Sequence, residues 1–209
     1  MKSIMISIQP QWVEKILNGE KTIEIRKTMP KCKFPVKVFI YCTKGKPYLY
    51  RVNDDNEFEL TNKLRFQDSS CFAKDYNAQN GKVVAEFTLK EVETLPSIIE
   101  KRNGTGAWYQ YHKINDDILN KSCISQEYLL NYANCNDLWA WHIDDLKIYD
   151  KPKELSEFRK RNECHYESYE DGCCLESCTF YYLGECDGRC SKIERPPQSW
   201  FYIEELEDI

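Results

Sequence analysis

The apolar residues of this chain come in short runs with a two-residue period, and that pattern excludes most architectures. The runs fall at Ser3–Ile8, Thr22–Lys27, Val36–Tyr41, Lys82–Leu89, Leu138–Ile143 and Trp200–Ile203. They are rich in β-branched and aromatic residues and are bounded by Gly, Pro or polar turns, which predicts strands. In Lys82–Leu89 the alternation sets Val83, Ala85, Phe87 and Leu89 on one face and Val84, Glu86 and Thr88 on the other. Helical stripes are few. Trp12, Val13, Ile16 and Leu17 recur at helical spacing ahead of Gly19, a good helix terminator. A second short helix is expected from Ser125, an N-cap followed by Glu127 and Tyr128-Leu129-Leu130. A third is expected from Pro152 through Phe158. Many short strands with a few short helices predict an α+β fold built on a curled sheet or small barrel.

The 209 residues, 42% hydrophobic and 13% aromatic, supply one real core and exclude a disordered chain. Two polar, irregular stretches, 44–80 and 100–124, read as insertions, the first with a hairpin turn around Asn53-Asp54-Asp55-Asn56. No apolar run approaches the ~18 residues of a membrane helix. The N-terminus has no signal-peptide pattern, so a cytoplasmic protein without a membrane partner is expected.

Charge narrows the function classes. The net charge is −5, which excludes a protein that grips nucleic acid through a wholly basic surface. Yet residues 1–47 carry ten Lys/Arg against three Glu, and the remainder nineteen against thirty-one Asp/Glu. One basic face on an acidic body fits this distribution, as do scattered solubilising lysines.

The most informative segment lies in the basic part: Gly19-Glu20-Lys21-Thr22-Ile23-Glu24-Ile25-Arg26. On a strand, Thr22, Glu24 and Arg26 share one face and Ile23 and Ile25 the other, so the isoleucines face a core. Glu24 and Arg26 are then about 7 Å apart at ~3.3 Å per residue, and Lys21 sits at the helix-to-strand corner. Arg is a bidentate fork for phosphate or a guanine-like edge, and Glu accepts from an exocyclic amine. The bland alternative is a surface Glu–Arg pair worth about 0–1 kcal/mol.

Gly-x-Lys-x-x-Glu-x-Arg after a short amphipathic helix resembles the signature of the ASCH domain, here Gly19, Lys21, Glu24 and Arg26. Two further segments resemble the prophage-type branch of that family. One is Trp139-Ala140-Trp141-His142-Ile143 through Tyr149-Asp150-Lys151-Pro152, the other Pro196-Pro197-Gln198-Ser199-Trp200. The resemblance covers roughly 1–47, 82–95, 138–158 and 195–205. It implies a PUA-like fold, a small β-barrel flanked by short helices, with RNA or a single nucleotide bound in a cleft lined by Lys21, Glu24 and Arg26. It further implies an ASCH domain over 1–163, an added Cys-rich segment over 164–194 and a returning strand within 195–209. Some small members are amidohydrolases that remove an acyl group from a modified cytidine with a Lys, a Thr and a Glu, and ribonuclease activity is associated with others. Lys21 matches the Lys, but Glu24 stands where such members have Thr. If the chain is an enzyme, Lys21 and Glu24 are the catalytic candidates, with Glu86 a conceivable partner in proton transfer.

Trp139 and Trp141 share a strand face, with His142 opposite. Trp141 is a candidate platform for stacking on a base, although packing in the core is an equal reading. Trp139 and Trp12 read as core, and His142 as structural. Six of the eleven cysteines cluster between Cys164 and Cys190. Cys174 with Cys178 and Cys186 with Cys190, each pair with three residues between its members, suit one structural zinc. Cys164, His165 or Cys173 can substitute for any of these ligands, and reduced thiols or disulfides remain alternatives. The segment is also a candidate for contact with a protein partner.

Overall fold

The computed structural model describes residues 2–52, 65–69, 78–101, 108–158 and 193–204. Its centre is a five-stranded sheet of β1 (Lys2–Ile8), β3 (Val36–Cys42), β6 (Val83–Leu89), β11 (Asp144–Lys153) and β12 (Trp200–Glu204), in the order β11-β6-β3-β1-β12. Strands β1 and β3 are parallel, and the other neighbours are antiparallel. Parallel neighbours need a crossover connection. Here it is α1 (Pro10–Leu17) followed by β2 (Ile23–Arg26), so the motif segment leaves the main sheet. It enters a second, three-stranded antiparallel sheet, where β10 (Leu138–His142) lies between β2 and β7 (Val92–Leu95).

The main core lies on one face of the large sheet. Ile4, Ile6, Val38, Ile40 and Phe87 meet Val13 and Ile16 of α1 and Trp141 of β10 there. On the far side of the small sheet, Ile23 and Ile25 pack with Leu138 and Ala140 against Ile118 of α2 (Asp116–Ser122) and Leu129 and Ala133 of α3 (Gln126–Ala133). The isoleucines of the motif thus face a core as their alternation predicts, and Glu24 and Arg26 face away from it.

The expected barrel is not closed. Among the described residues the two ladders stay separate, with β11 and β12 as the edges of one and β2 and β7 as the edges of the other. The chain passes from β10 to β11 within one residue, and register shifts in the β11–β6 pairing bend the edge away. A second irregularity corrects the alternation expected in β6. Ile40 pairs with Ala85 but Tyr41 with Val83, so a bulge turns Val83 toward Met5, Phe39 and Tyr41 while Val84 and Ala85 both join the main core.

The irregular stretches hold more structure than their polarity suggests. Within 44–80, β4 (Tyr48–Val52) and β5 (Arg65–Ser69) pair antiparallel, and Leu49 and Phe66 join the main core. The turn expected at 53–56 lies outside the described residues. Arg51 fastens this hairpin to β11: its guanidinium donates to the carbonyl oxygens of Tyr149 and Asp150 and lies over the Phe66 ring at 5.3 Å. Residues 100–124 were expected to be loop but contain the end of β8 (Ser97–Lys101), its partner β9 (Trp108–His112) and α2. Asn115 caps α2 by accepting from the Ile118 amide at 2.8 Å. The helix expected from Pro152 is also corrected. Pro152 lies in edge strand β11, where its missing N–H is harmless, and only a 3₁₀ turn, Leu155–Glu157, follows. Among the described residues no helix is long and apolar enough to cross a membrane.

Candidate functional site

The end of α1 fixes the start of the motif. Gly19 takes φ +77, and the amides of Glu20 and Lys21 both donate to the Lys15 carbonyl oxygen, at 2.9 and 3.0 Å. This left-handed turn favours glycine and directs Lys21 inward. Pairing of β2 with β10 then sets Glu24 opposite Trp141 and Arg26 opposite Trp139.

Lys21, Glu24 and Arg26 come together as a buried cluster, with 3%, 8% and 8% of their surfaces exposed. Glu24 Oε2 lies 3.2 Å from Lys21 Nζ and Glu24 Oε1 lies 3.1 Å from Arg26 Nε. The second contact has ion-pair distance without hydrogen-bond geometry, leaving Arg26 Nε undirected. Lys21 Nζ also donates to the Ser122 carbonyl oxygen at 2.7 Å and sits 5.4 Å from the centre of the Trp12 ring. Arg26 Nη2 donates to the Ser7 carbonyl oxygen at 2.7 Å and Nη1 to Ser199 Oγ at 3.3 Å.

Above this cluster opens a cleft of about 700 Å³. Trp12, Tyr128 and Tyr132 form its aromatic side. Trp12 and Tyr128 meet edge to face, with centroids 5.8 Å apart. Burial raises the Tyr132 phenol above its usual pKa; Arg26 opposes the rise and Glu24 adds to it. The opposite side is the segment 194–199. It is clasped to β1 by Ser7, whose Oγ donates to the Pro197 carbonyl oxygen at 2.7 Å and whose amide donates to that of Ser199 at 2.9 Å. Lys44 and Arg195 stand on the walls, both exposed and without an ion-pair partner among the described residues. The charges on the floor are therefore committed to one another, while those on the walls are open. Two cations share one carboxylate below, two more flank the opening, and aromatic rings line one side. Such a cleft suits an anion that carries an aromatic ring.

The remaining candidates lie elsewhere. Trp141 is fully buried in the main core beside Trp200, 5.8 Å between centroids, and does not line the cleft. Trp139 packs partly buried against the same core. Glu86 accepts from the Tyr149 hydroxyl at 2.5 Å and is not on the cleft wall, so it forms no pair with Lys21. His142 lies near Glu91 and Glu93, at 3.6 and 3.9 Å, also off the cleft. Cys174, Cys178, Cys186 and Cys190, with Cys164, His165 and Cys173, lie outside the described residues. Among the described residues, no group of three or more His, Cys, Asp or Glu is placed to hold a metal.

Sequence reading missed Tyr128, Tyr132, Lys44 and Arg195 as cleft residues. The two tyrosines had a usable signal: four residues apart on one helix, they share a face. The two cations had none, since tertiary structure alone brings them to the opening.

The architecture and cleft define an α+β domain with a buried Lys–Glu–Arg cluster beneath a helix-flanked opening. The ASCH domain family model matches residues 6–129, and the chain belongs to that family. Among solved structures, the crystal structure of ASCH from Zymomonas mobilis is similar over 97% of this chain and 88% of its own, at 13% identity and a TM-score of 0.49. A mutant form of the same Zymomonas mobilis protein is similar over 98% and 92%, at 13% identity and a TM-score of 0.48. No curated protein matches the sequence.

Proposed function

We propose that this chain binds RNA or a single nucleotide in the cleft above Lys21, Glu24 and Arg26. The observation that carries the reading is the burial of this two-to-one cationic cluster under an opening with an aromatic side and two exposed cations, Lys44 and Arg195, that have no ion-pair partner among the described residues. Phosphate is drawn by the excess positive charge, and a base stacks on Tyr128 or Tyr132. The acidic remainder of the chain favours a compact site over a long electrostatic track.

The test is a fluorescence-anisotropy titration of short single-stranded RNA at two salt concentrations. Arg26→Ala and Arg195→Ala are titrated beside the wild type. Arg26 ties β2 to Ser7 and Ser199, so its loss removes structural contacts as well as charge. Arg195 is exposed, and its loss leaves the fold intact. Saturable binding weakened in both variants supports the reading, and binding equal to wild type in both removes it.

A second reading, hydrolysis of an acylated cytidine-type nucleoside, draws on the meeting of Lys21 and Glu24 at 3.2 Å below the cleft. Turnover of acetylcytidine that disappears in Lys21→Ala supports it, and no product from acetylcytidine rejects it. Cleavage of labelled RNA, lost in the same variant, is the corresponding sign of a ribonuclease. A structural zinc on the Cys-rich segment remains a proposal that metal analysis of the purified protein decides. A pulldown that chelation abolishes, with nucleotide binding intact, would mark that segment as a protein-contact site.

A further inference from the structure

A second cavity of about 490 Å³ adjoins the cleft, and Tyr41, Lys44, Glu194 and Pro196 line both. Each space falls within the roughly 300–1,000 Å³ of small-ligand sites, large enough for one nucleotide. Among the described residues, Lys44 is the one lysine on the shared wall. A methyl group on Gly81 would sit 3.2 Å from its Cγ and Cε and 3.7 Å from its Cδ, so the lysine stem lies along the glycine. Gly81 itself is held at φ +82, with its amide donating to the Cys42 carbonyl oxygen at 2.8 Å. The stem is thus guided by backbone, and the ammonium has no partner among the described residues.

Among the described residues, the acidic groups of the second cavity make no ion pair with this lysine. Glu154 caps its own turn and lies 4.0 Å from Lys82. Glu194 is exposed, next to Arg195, which has no ion-pair partner among the described residues. An open cation between two cavities suits the one charged group that joins two nucleotides.

Resting on the nucleotide reading of the cleft, we propose that the ligand is a single strand of at least two nucleotides. One nucleotide occupies the cleft above Lys21, Glu24 and Arg26, and its neighbour occupies the second cavity beside Leu155 and Ser156. The linking phosphate meets Lys44, which binds it as a point charge. A free mononucleotide fills half of this site.

Calorimetric titration of the whole protein with uridine and adenosine monophosphates and with the dinucleotides UpU and ApA tests the proposal. The dinucleotides are expected to bind at least tenfold tighter than the mononucleotides. Ser156→Trp, which fills the second cavity from an exposed position, should cancel that gain while mononucleotide affinity stays at the wild-type value. Lys44→Ala should reduce the gain as well. Equal affinity for mono- and dinucleotides overturns the proposal and leaves the cleft as a one-nucleotide site. A gain that survives both substitutions also overturns it. No binding of either kind overturns the nucleotide reading, and the proposal with it.

Discussion

Lys21 Nζ lies 3.2 Å from Glu24 Oε2, with only 3% and 10% of the two side chains exposed. The same carboxylate faces Arg26 at 3.1 Å, so one buried anion holds two buried cations in place. Removing one member of such a group leaves uncompensated charge, at a cost of about 3–5 kcal/mol. Glu24→Gln is therefore expected to lower the melting temperature by roughly 6–20 °C for a chain of this size. Thermal unfolding followed by circular dichroism measures it. A variant that melts with the wild type would show that the cluster's charges are not coupled.

The aromatic side of the cleft depends on a hydroxyl that never touches it. Ser125 caps α3 by accepting from the Tyr128 amide at 3.1 Å, and α3 carries both Tyr128 and Tyr132. Ser125→Ala is expected to cost about 1 kcal/mol in urea unfolding, and Ser125→Thr much less. Because the cap orders the first turn, RNA affinity in the anisotropy titration should fall with Ser125→Ala and recover with Ser125→Thr.

Alkaline pH should unfold the protein through groups that the core keeps neutral. Burial pushes the Cys42 thiol from an ordinary 9.0 up to about 12. Burial also raises the Tyr41 and Tyr132 phenols above their usual 10.0. A raised pKa in the folded state means that the unfolded chain loses its proton first. The stabilisation is whole below pH 9 and is lost as pH rises toward 12, reaching about 4 kcal/mol for Cys42 alone. Denaturation midpoints measured from pH 8 to 11 should hold to about pH 9 and fall beyond it, and Cys42→Ala should flatten that fall. The same burial predicts that iodoacetamide reaches Cys42 only after unfolding, whereas exposed Cys135 reacts in the native protein.

Arg51 supplies a separate test of how the β4–β5 hairpin is held. Arg51→Met keeps a long stem against Phe66 but removes the donors to the Tyr149 and Asp150 carbonyls. Hydrogen bonds from charged donors are worth about 1.5–3 kcal/mol. Faster amide exchange at 48–52, with β1 and β3 still protected, is the expected result. Unchanged exchange would place the anchoring on Leu49 and Phe66 alone.

Strand existence and the inward-facing isoleucines of the motif were legible because a period of two is a local property. Glu24 and Arg26 were legible as sharing one face away from that core for the same reason. Their burial beneath the cleft was not, since it depends on Ser122 and Ser199, far away in sequence. The barrel expectation failed because closure depends on bulges at β6 and β11, which leave no mark on hydrophobic alternation. The helix α2 was hidden by polarity, although Asn115 before Asp116-Asp117 is a cap with an acidic first turn. Trp141 illustrates the limit of face assignment: the spacing set it beside Trp139, but only the packing of β10 against the large sheet decided that it is core.

The Ser7 clasp has a consequence for the order in which the molecule is completed. Ser7 Oγ and Pro197 are 190 positions apart, yet their hydrogen bond closes one side of the cleft. A polypeptide emerging from the ribosome can form α1 early, but β2 waits for its partner β10, and that side of the cleft does not exist until residues 194–199 have been made. Closing so long a loop carries an entropic cost that only the finished sheet offsets. A closed cleft is therefore a property of a chain translated through residue 199, and a nascent chain halted before the clasp has one side of the cleft missing.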